Sequence, residues 1–312
     1  MSKIYEALRR AEMDRAALDD RDSAVAESIV PTAVLEPEPF PQPDVQSLSE
    51  EPKPLPVPPA RVVVANVAAR AWTPSFAHLP ALQARGLAVE QFRSLRSRMQ
   101  EFRDLNTLKS ILVGSGLPQE GKSFIAANLA ISFARHKSSR VLLIDGDMRR
   151  STLHHLLGCA CEPGLTDYLE GNATVQSILQ RPDTTGSGVP NNTLDSLTFI
   201  GAGKDSDKAA DLSGNHRFEE LIAAVSPMFD WIVIDSSPVN LVADAVNLAR
   251  ACDGVLLVAR GGSTKFEAAQ RATSEFKASN ILGFVLNAVT DPVANGNYYT
   301  YDGYDTYDSL AK

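Results

Sequence analysis

From about residue 88 the chain alternates between two hydrophobic periods. "SILVGSG" (110–116), "RVLLID" (140–145), "LTFIGAG" (197–203), "WIVID" (231–235), "GVLLVAR" (254–260) and "ILGFVLN" (281–287) are short, nearly continuous apolar runs. Runs of that length with no polar alternation are predicted to be strands buried on both faces. Between them stand stretches with apolar residues three and four apart, the helical period: "AVEQFRSLRSRMQEF", "KSFIAANLAISFARH", "HRFEELIAAV", "LVADAVNLARA" and "TKFEAAQRATSEF". Strands alternating with helices predict an α/β fold with a doubly wound, mostly parallel sheet flanked by helices.

The pattern is different at both ends. Residues 3–17 read as a short amphipathic helix, giving an N-terminal element over 1–20. Ten of the nineteen prolines fall between Pro31 and Pro59, mixed with acids, and such a segment cannot bury a core. Residues 21–85 are therefore expected to be a disordered acidic linker, its last part (61–86) running ambiguously over the domain surface. The folded domain is placed at 86–290 and a C-terminal tail at 291–312. That tail holds five of the seven tyrosines, Tyr298, Tyr299, Tyr301, Tyr304 and Tyr307, with no apolar run around them.

Charge changes the picture only at the N-terminus. Residues 1–60 carry twelve acids against six bases, hence −6 of the net −8. The rest is close to neutral, which argues against a general nucleic-acid surface, and no nucleic-acid partner is expected. Three cysteines make no disulfide framework, no apolar run approaches the roughly 18–20 residues that span a bilayer, and the first residues lack a signal-peptide core. The expected location is cytoplasmic, with any membrane work depending on a partner.

One motif carries chemistry by itself. "GLPQEGKS" fills the G-x-x-x-x-G-K-[ST] pattern with Gly116, Gly121, Lys122 and Ser123, after a strand and at the start of a helix. Glycines permit the turn whose N–H groups wrap phosphates, the lysine reaches the β- and γ-phosphates, and the hydroxyl ligates Mg²⁺. The loop and first helical turn, Gly116, Gln119, Glu120, Gly121, Lys122, Ser123 and Phe124, are the candidate ATP contacts. "VLLIDGDMRR" and "WIVIDS" end two further strands on Asp145, Asp147 and Asp235. Ligands of open α/β sheets bind at the carboxyl ends of the strands, so these carboxylates converge on the phosphate site. Asp235 suits the metal-holding role there. "HHLLGCAC" brings His154, His155, Cys159 and Cys161 together, but the spacing matches no usual zinc pattern, and Cys252 reads as a core residue.

With these residues in view the chain resembles the bacterial tyrosine kinases, P-loop autokinases of capsule and exopolysaccharide export. The resemblance covers roughly 86–307 and rests on "SGLPQEGKSFIAANLA", "VLLIDGDMRR", "WIVIDS" with Pro238 after it, "EQFRSLR" and the tyrosine cluster. It implies ATP and Mg²⁺ as cofactors, with Lys122 on the phosphates, Asp145 as general base toward a tyrosine hydroxyl, and Ser123, Asp147 and Asp235 on the metal side. It also implies an adenine contact at Asn287, and phosphoacceptors at Tyr298, Tyr299, Tyr301, Tyr304 and Tyr307. Glu90, Arg93 and Arg96 match the residues by which the family pairs subunits into a homo-oligomeric ring. A separate membrane-bound activator, the chain-length adaptor protein, is the other implied partner. The chain departs from the family's usual prolines at Ser151 and at Ser237, next to Pro238. Two other classes remain open. A Min- or Par-type positioning ATPase would carry an extra lysine early in the loop, where "GSGLPQ" has none. A nonhydrolytic scaffold of the export machine would be marked by loss of Lys122, Asp145 or Asp235, and all three are present.

Overall fold

The computed structural model describes residues 67–136, 139–183, 194–204 and 206–289. The N-terminal helix and linker expected over 1–66, and the five tail tyrosines, lie outside the described residues. Eight strands form one sheet: β1 (Ala68–Ala71), β2 (Ser110–Ser115), β3 (Val141–Asp145), β4 (Gln180–Asp183), β5 (Leu197–Ile200), β6 (Trp231–Asp235), β7 (Gly254–Arg260) and β8 (Ile281–Asn287). Their order is β1-β4-β5-β3-β6-β2-β7-β8, and every pairing is parallel except β4 with β5. The longer helices are α1 (Leu87–Leu105), α2 (Lys122–Ala134), α7 (Arg217–Val225), α8 (Asp244–Ala249) and α9 (Phe266–Glu275). Four shorter ones, α3 (Leu153–Leu157), α4 (Leu165–Leu169), α5 (Val175–Ile178) and α6 (Ala209–Ser213), fill the crossovers.

Strand alternation builds two cores, one on each face. Ile111, Val113, Val141, Leu143, Trp231, Val233, Leu256 and Val258 point to one face, where α1 and α2 cover them. Leu112, Leu142, Ile144, Ile232, Ile234, Val255 and Leu257 point to the other, under α7, α8 and Phe276 at the end of α9. Successive side chains of a strand point to opposite sides, so an unbroken apolar run is what a doubly covered sheet needs. Phe133 stacks on Trp231 with ring centroids 4.1 Å apart, tying α2 to β6.

Residues 67–85 lie partly on the surface, yet are anchored in the domain. Ala68–Ala71 pairs with β4 as an edge strand, while Trp72, Leu79, Ala81 and Leu82 are buried in the α1/α2 core. Asn128 in the middle of α2 fastens the segment: its carbonyl accepts the Ala81 N–H at 3.0 Å, and its amide donates to the His78 and Phe124 carbonyls. Neither β1 ("AARA") nor β4 ("QRPD") has an apolar run, and Pro182 cannot donate to a ladder, so nothing local marks these strands.

Candidate active site

The phosphate loop lies between the end of β2 and the start of α2. Gln119 (φ 63°) and Gly121 (φ 95°) hold left-handed backbone there, which turns successive N–H groups inward as a nest for anions. Three contacts brace the loop from outside. The Thr264 hydroxyl donates to the Glu120 carboxylate, Arg260 donates to the Gln119 carbonyl at 3.2 Å, and the Asn287 amide donates to the Glu120 carbonyl at 2.9 Å. Glu120 is itself buried and accepts the Leu117 N–H at 2.7 Å, so it folds back as a strut of the loop.

Beside the loop is a cleft of about 460 Å³, lined by Gln119, Gly121, Lys122, Ser123, Phe124 and Asp147 among the expected residues, and by Arg149, Arg150, Ser237 and Leu241. Gly116, Glu120, Asp145, Asp235 and Asn287 do not line it. Gly116 is buried, where an added Cβ would lie 2.9 Å from Asn240, and Asn287 borders an adjoining hollow of about 410 Å³ beside α1. Phe124 also packs its ring on Phe92, 5.8 Å between centroids.

The charges are arranged in two layers. Lys122 Nζ sits 2.9 Å from Asp147 Oδ2, while Asp147 Oδ1 accepts the Arg150 N–H and the Ser237 hydroxyl, each at 3.1 Å. Burial pulls the Lys122 pKa down, but Asp235, Asp147 and Asp145 more than offset it, and the net shift is upward. Beneath, Asp145 and Asp235 are both fully buried. Asp145 Oδ2 accepts the Ser151 hydroxyl at 3.0 Å and the Leu153 N–H at 3.2 Å, and Oδ1 accepts the Asp147 N–H. Burial, with Asp235 adding to it, lifts the Asp145 carboxyl to about 7. Burial lifts Asp235 to about 6 against the pull of Lys122 and Ser123.

Asp235 is the informative member. Both of its carboxylate oxygens are buried and neither meets full hydrogen-bond geometry, although the Ser123 hydroxyl and the Ser236 N–H lie near enough to lower its pKa. A buried carboxylate is costly unless something satisfies it. With the Ser123 hydroxyl near enough to lower its pKa and Asp147 on the cleft wall, the donors are all hard oxygens. That set fits Mg²⁺, which completes its shell with water and phosphate oxygens. The P-loop nest and Lys122 likewise fit a triphosphate.

Other expected residues are placed differently. Glu90 and Arg93 pair on the outside of α1 at 2.5 Å, with 59% and 42% of their side chains exposed. Arg96 does not join them; it turns inward and donates to the Ser132 carbonyl of α2 at 2.9 Å. Cys252 is half-buried against the core and donates to the Leu248 carbonyl. Among the described residues no group of three or more His, Cys, Asp or Glu side chains gathers as a metal cluster. Cys161 and His154 instead contact the Ser151 hydroxyl, at 3.4 and 2.8 Å. Sequence reasoning missed Thr264 and Asp244, and noted Ser237 without its contact to Asp147. Asp244, fully buried at the start of α8, holds Arg149 at 2.7 Å. The missed threonine carries no motif of its own and matters through the loop it braces.

Comparison with known proteins gives a consistent result. No protein-family profile matches the chain. The tyrosine-protein kinase CpsD of Streptococcus agalactiae is 33% identical over 221 residues, covering 70% of this chain and 89% of that protein. The tyrosine-protein kinase ptk of Acinetobacter johnsonii is 28% identical over 205 residues, 65% of this chain but only 26% of that longer protein. Among solved structures, the kinase domain of Escherichia coli tyrosine kinase ETK superposes with a TM-score of 0.62 at 26% identity, over 72% of this chain and 84% of that one.

Proposed function

The chain belongs to the bacterial tyrosine kinase family, and from that premise we propose that it is an ATP- and Mg²⁺-dependent autokinase. Its acceptors are Tyr298, Tyr299, Tyr301, Tyr304 and Tyr307, phosphorylated in trans within a homo-oligomer. The observation that carries this reading is the stacked pair of charge layers: a P-loop lysine against Asp147 in an open cleft, beside a fully buried Asp235 whose oxygens fall short of full hydrogen-bond geometry. No helix among the described residues is long and apolar enough to cross a membrane. A separate membrane-bound activator and a role in capsule or exopolysaccharide export complete the proposal. The chain spans 89% of CpsD but only 26% of ptk.

Lys122 and the loop N–H groups would hold the phosphates, Ser123, Asp147 and Asp235 would hold the metal, and Asn287 is the proposed adenine contact. Mg²⁺, when bound, neutralises charge on the β- and γ-phosphate oxygens. The acceptor hydroxyl has a pKa near 10 and must shed its proton as its oxygen bonds to phosphorus. Asp145, lifted toward neutrality, has the basicity to take that proton near pH 7. It meets the hydroxyl only when Ser151 swings off its Oδ2. The exposed Glu90–Arg93 pair is the proposed contact between subunits.

Intact mass spectrometry of the protein with ATP and Mg²⁺ tests this. Phosphates mapping to Tyr298–Tyr307, absent from Lys122→Met and from a version ending at Asn295, are the expected result. ATP binding with no phosphate, even with the activator's cytosolic segment present, would replace the kinase reading with a nonhydrolytic scaffold.

A further inference from the structure

The cleft has more to it than phosphate chemistry requires. Arg149 and Arg150 both line it, yet they are not equivalent. Arg149 spends its guanidinium on the buried Asp244, at 2.7 and 3.4 Å. Arg150 is exposed, and the one contact described for it is its backbone N–H on Asp147, which fixes where its side chain starts. The same cleft is lined by Pro118, Pro238 and Leu241, and Leu241 is 62% exposed. A large aliphatic side chain left open beside a phosphate site offers a flat apolar ring something to lie on. A free cation in the same cleft selects for a nearby acid.

The chain itself supplies a segment of that chemistry. β8 ends against the phosphate loop, since Asn287 donates to the Glu120 carbonyl, and Val289, the last described residue, borders the hollow that adjoins the cleft. The nine residues from Val289 to Tyr298 span at most about 30 Å when extended. Within the tail, Tyr301, Tyr304 and Tyr307 are each followed by an aspartate (Asp302, Asp305, Asp308), whereas Tyr298 and Tyr299 are followed by Tyr299 and Thr300.

We propose that Arg150 and Leu241 form an acceptor subsite that selects a tyrosine followed directly by an acid, so that the three Tyr-Asp steps are phosphorylated ahead of Tyr298 and Tyr299. The ring lies on Leu241, the following carboxylate pairs with Arg150, and the hydroxyl is left facing the phosphate loop. This rests on the tail-kinase reading and assigns its specificity. One ion pair at an exposed site gives a preference of about fivefold or less per acceptor. Because the pair is exposed, the preference shrinks as salt is raised.

The test has two arms on the full chain. In the first, the order of phosphate arrival on the tail is mapped over time in the wild type, in Arg150→Glu, and in Arg150→Glu combined with Asp302→Lys, Asp305→Lys and Asp308→Lys. The wild type is expected to fill Tyr301, Tyr304 and Tyr307 first. Arg150→Glu loses that order, and reversing the tail charges restores it, which general damage to the fold cannot mimic. Indiscriminate filling in the wild type, or unchanged order in Arg150→Glu, overturns the proposal. In the second arm, fluorescence anisotropy compares a labelled peptide of residues 297–309 with its Asp→Asn counterpart on the ADP- and Mg²⁺-loaded protein. Tighter binding of the acidic peptide, lost in Arg150→Glu, supports the subsite even if no phosphate is transferred. Equal binding overturns it. A first arm that stays silent even with the activator's cytosolic segment present, with a positive second arm, removes the kinase reading and leaves the subsite.

Discussion

Asn287 at the end of β8 lies so close to Gly121 that a Cβ on the glycine would fall 2.0 Å from the asparagine amide nitrogen. The last strand of the sheet thereby sets the shape of the phosphate loop, from 167 positions away along the chain measured to Glu120. Gly121 also holds φ 95°, a conformation that costs a side chain of order 1–3 kcal/mol. Gly121→Ala is expected to weaken ATP binding at least about tenfold, the scale of one such penalty. Asn287→Ala alone removes a hydrogen bond of about 1 kcal/mol. The double variant should recover part of the loss, because the clash is gone; calorimetric titration of the three variants checks this.

The stability of the metal-free protein should depend on pH through Asp145 and Asp235. Unfolded, both carboxyls ionise near about 3.9. Folded, the pair holds its protons up to about 7 and about 6. Between those limits the native state binds more protons than the unfolded one, so stability falls as pH rises through the window. The total is on the order of several kcal/mol, at about 1.4 kcal/mol for each pH unit. Urea denaturation from pH 5 to 8 should show the decline, Asp235→Asn should flatten it, and added Mg²⁺ with nucleotide should reverse it.

Shortening the chain to begin at residue 86 should unfold it, while beginning at 67 should not. Trp72 is 1% exposed, and Leu79 is fully buried in the α1/α2 core. Trp72→Ala in the full chain is expected to cost about 3–5 kcal/mol. Thermal melts of both truncations and of the point variant are the check.

Arg149 and Asp244 should behave as a coupled pair. Arg149→Ala leaves the fully buried Asp244 without its cation, at a cost of about 3–5 kcal/mol. Arg149→Met with Asp244→Leu should cost markedly less than Arg149→Ala, because no charge is then left unpaired. Chemical denaturation of the cycle reads the coupling.

The sequence announced its sheet wherever a strand had to be apolar on both faces. "SILVGS", "VLLID", "WIVID" and "GVLLVAR" occupy β2, β3, β6 and β7, and each is completely buried apart from Arg260 at the end of β7. The P-loop was legible for a similar reason, since a backbone nest and a lysine admit few substitutes. β1 and β4 were not legible. Four-residue strands drawn from "AARA" and "QRPD" form because partners far along the chain pair with them, not because their own residues favour it. The site shows the same division. Asp145, Asp147 and Asp235 could be read from strand ends, but the split into a cleft layer and a buried layer depends on Ser151 and Ser237. Each of these hydroxyls donates to one of the aspartates, Ser151 to Asp145 and Ser237 to Asp147. Arg96 looked like a neighbour of Arg93, yet a carbonyl on α2 draws it inward.

The antiparallel step between β4 and β5 also fixes where the two ends of the described domain stand. Because β1 runs with β4, it runs against the other six strands, so residue 67 enters at the end of the sheet where β8 leaves. The two entrances to the domain share the rim that bears the cleft and are separated by the width of the sheet, about 34 Å for strands spaced near 4.8 Å.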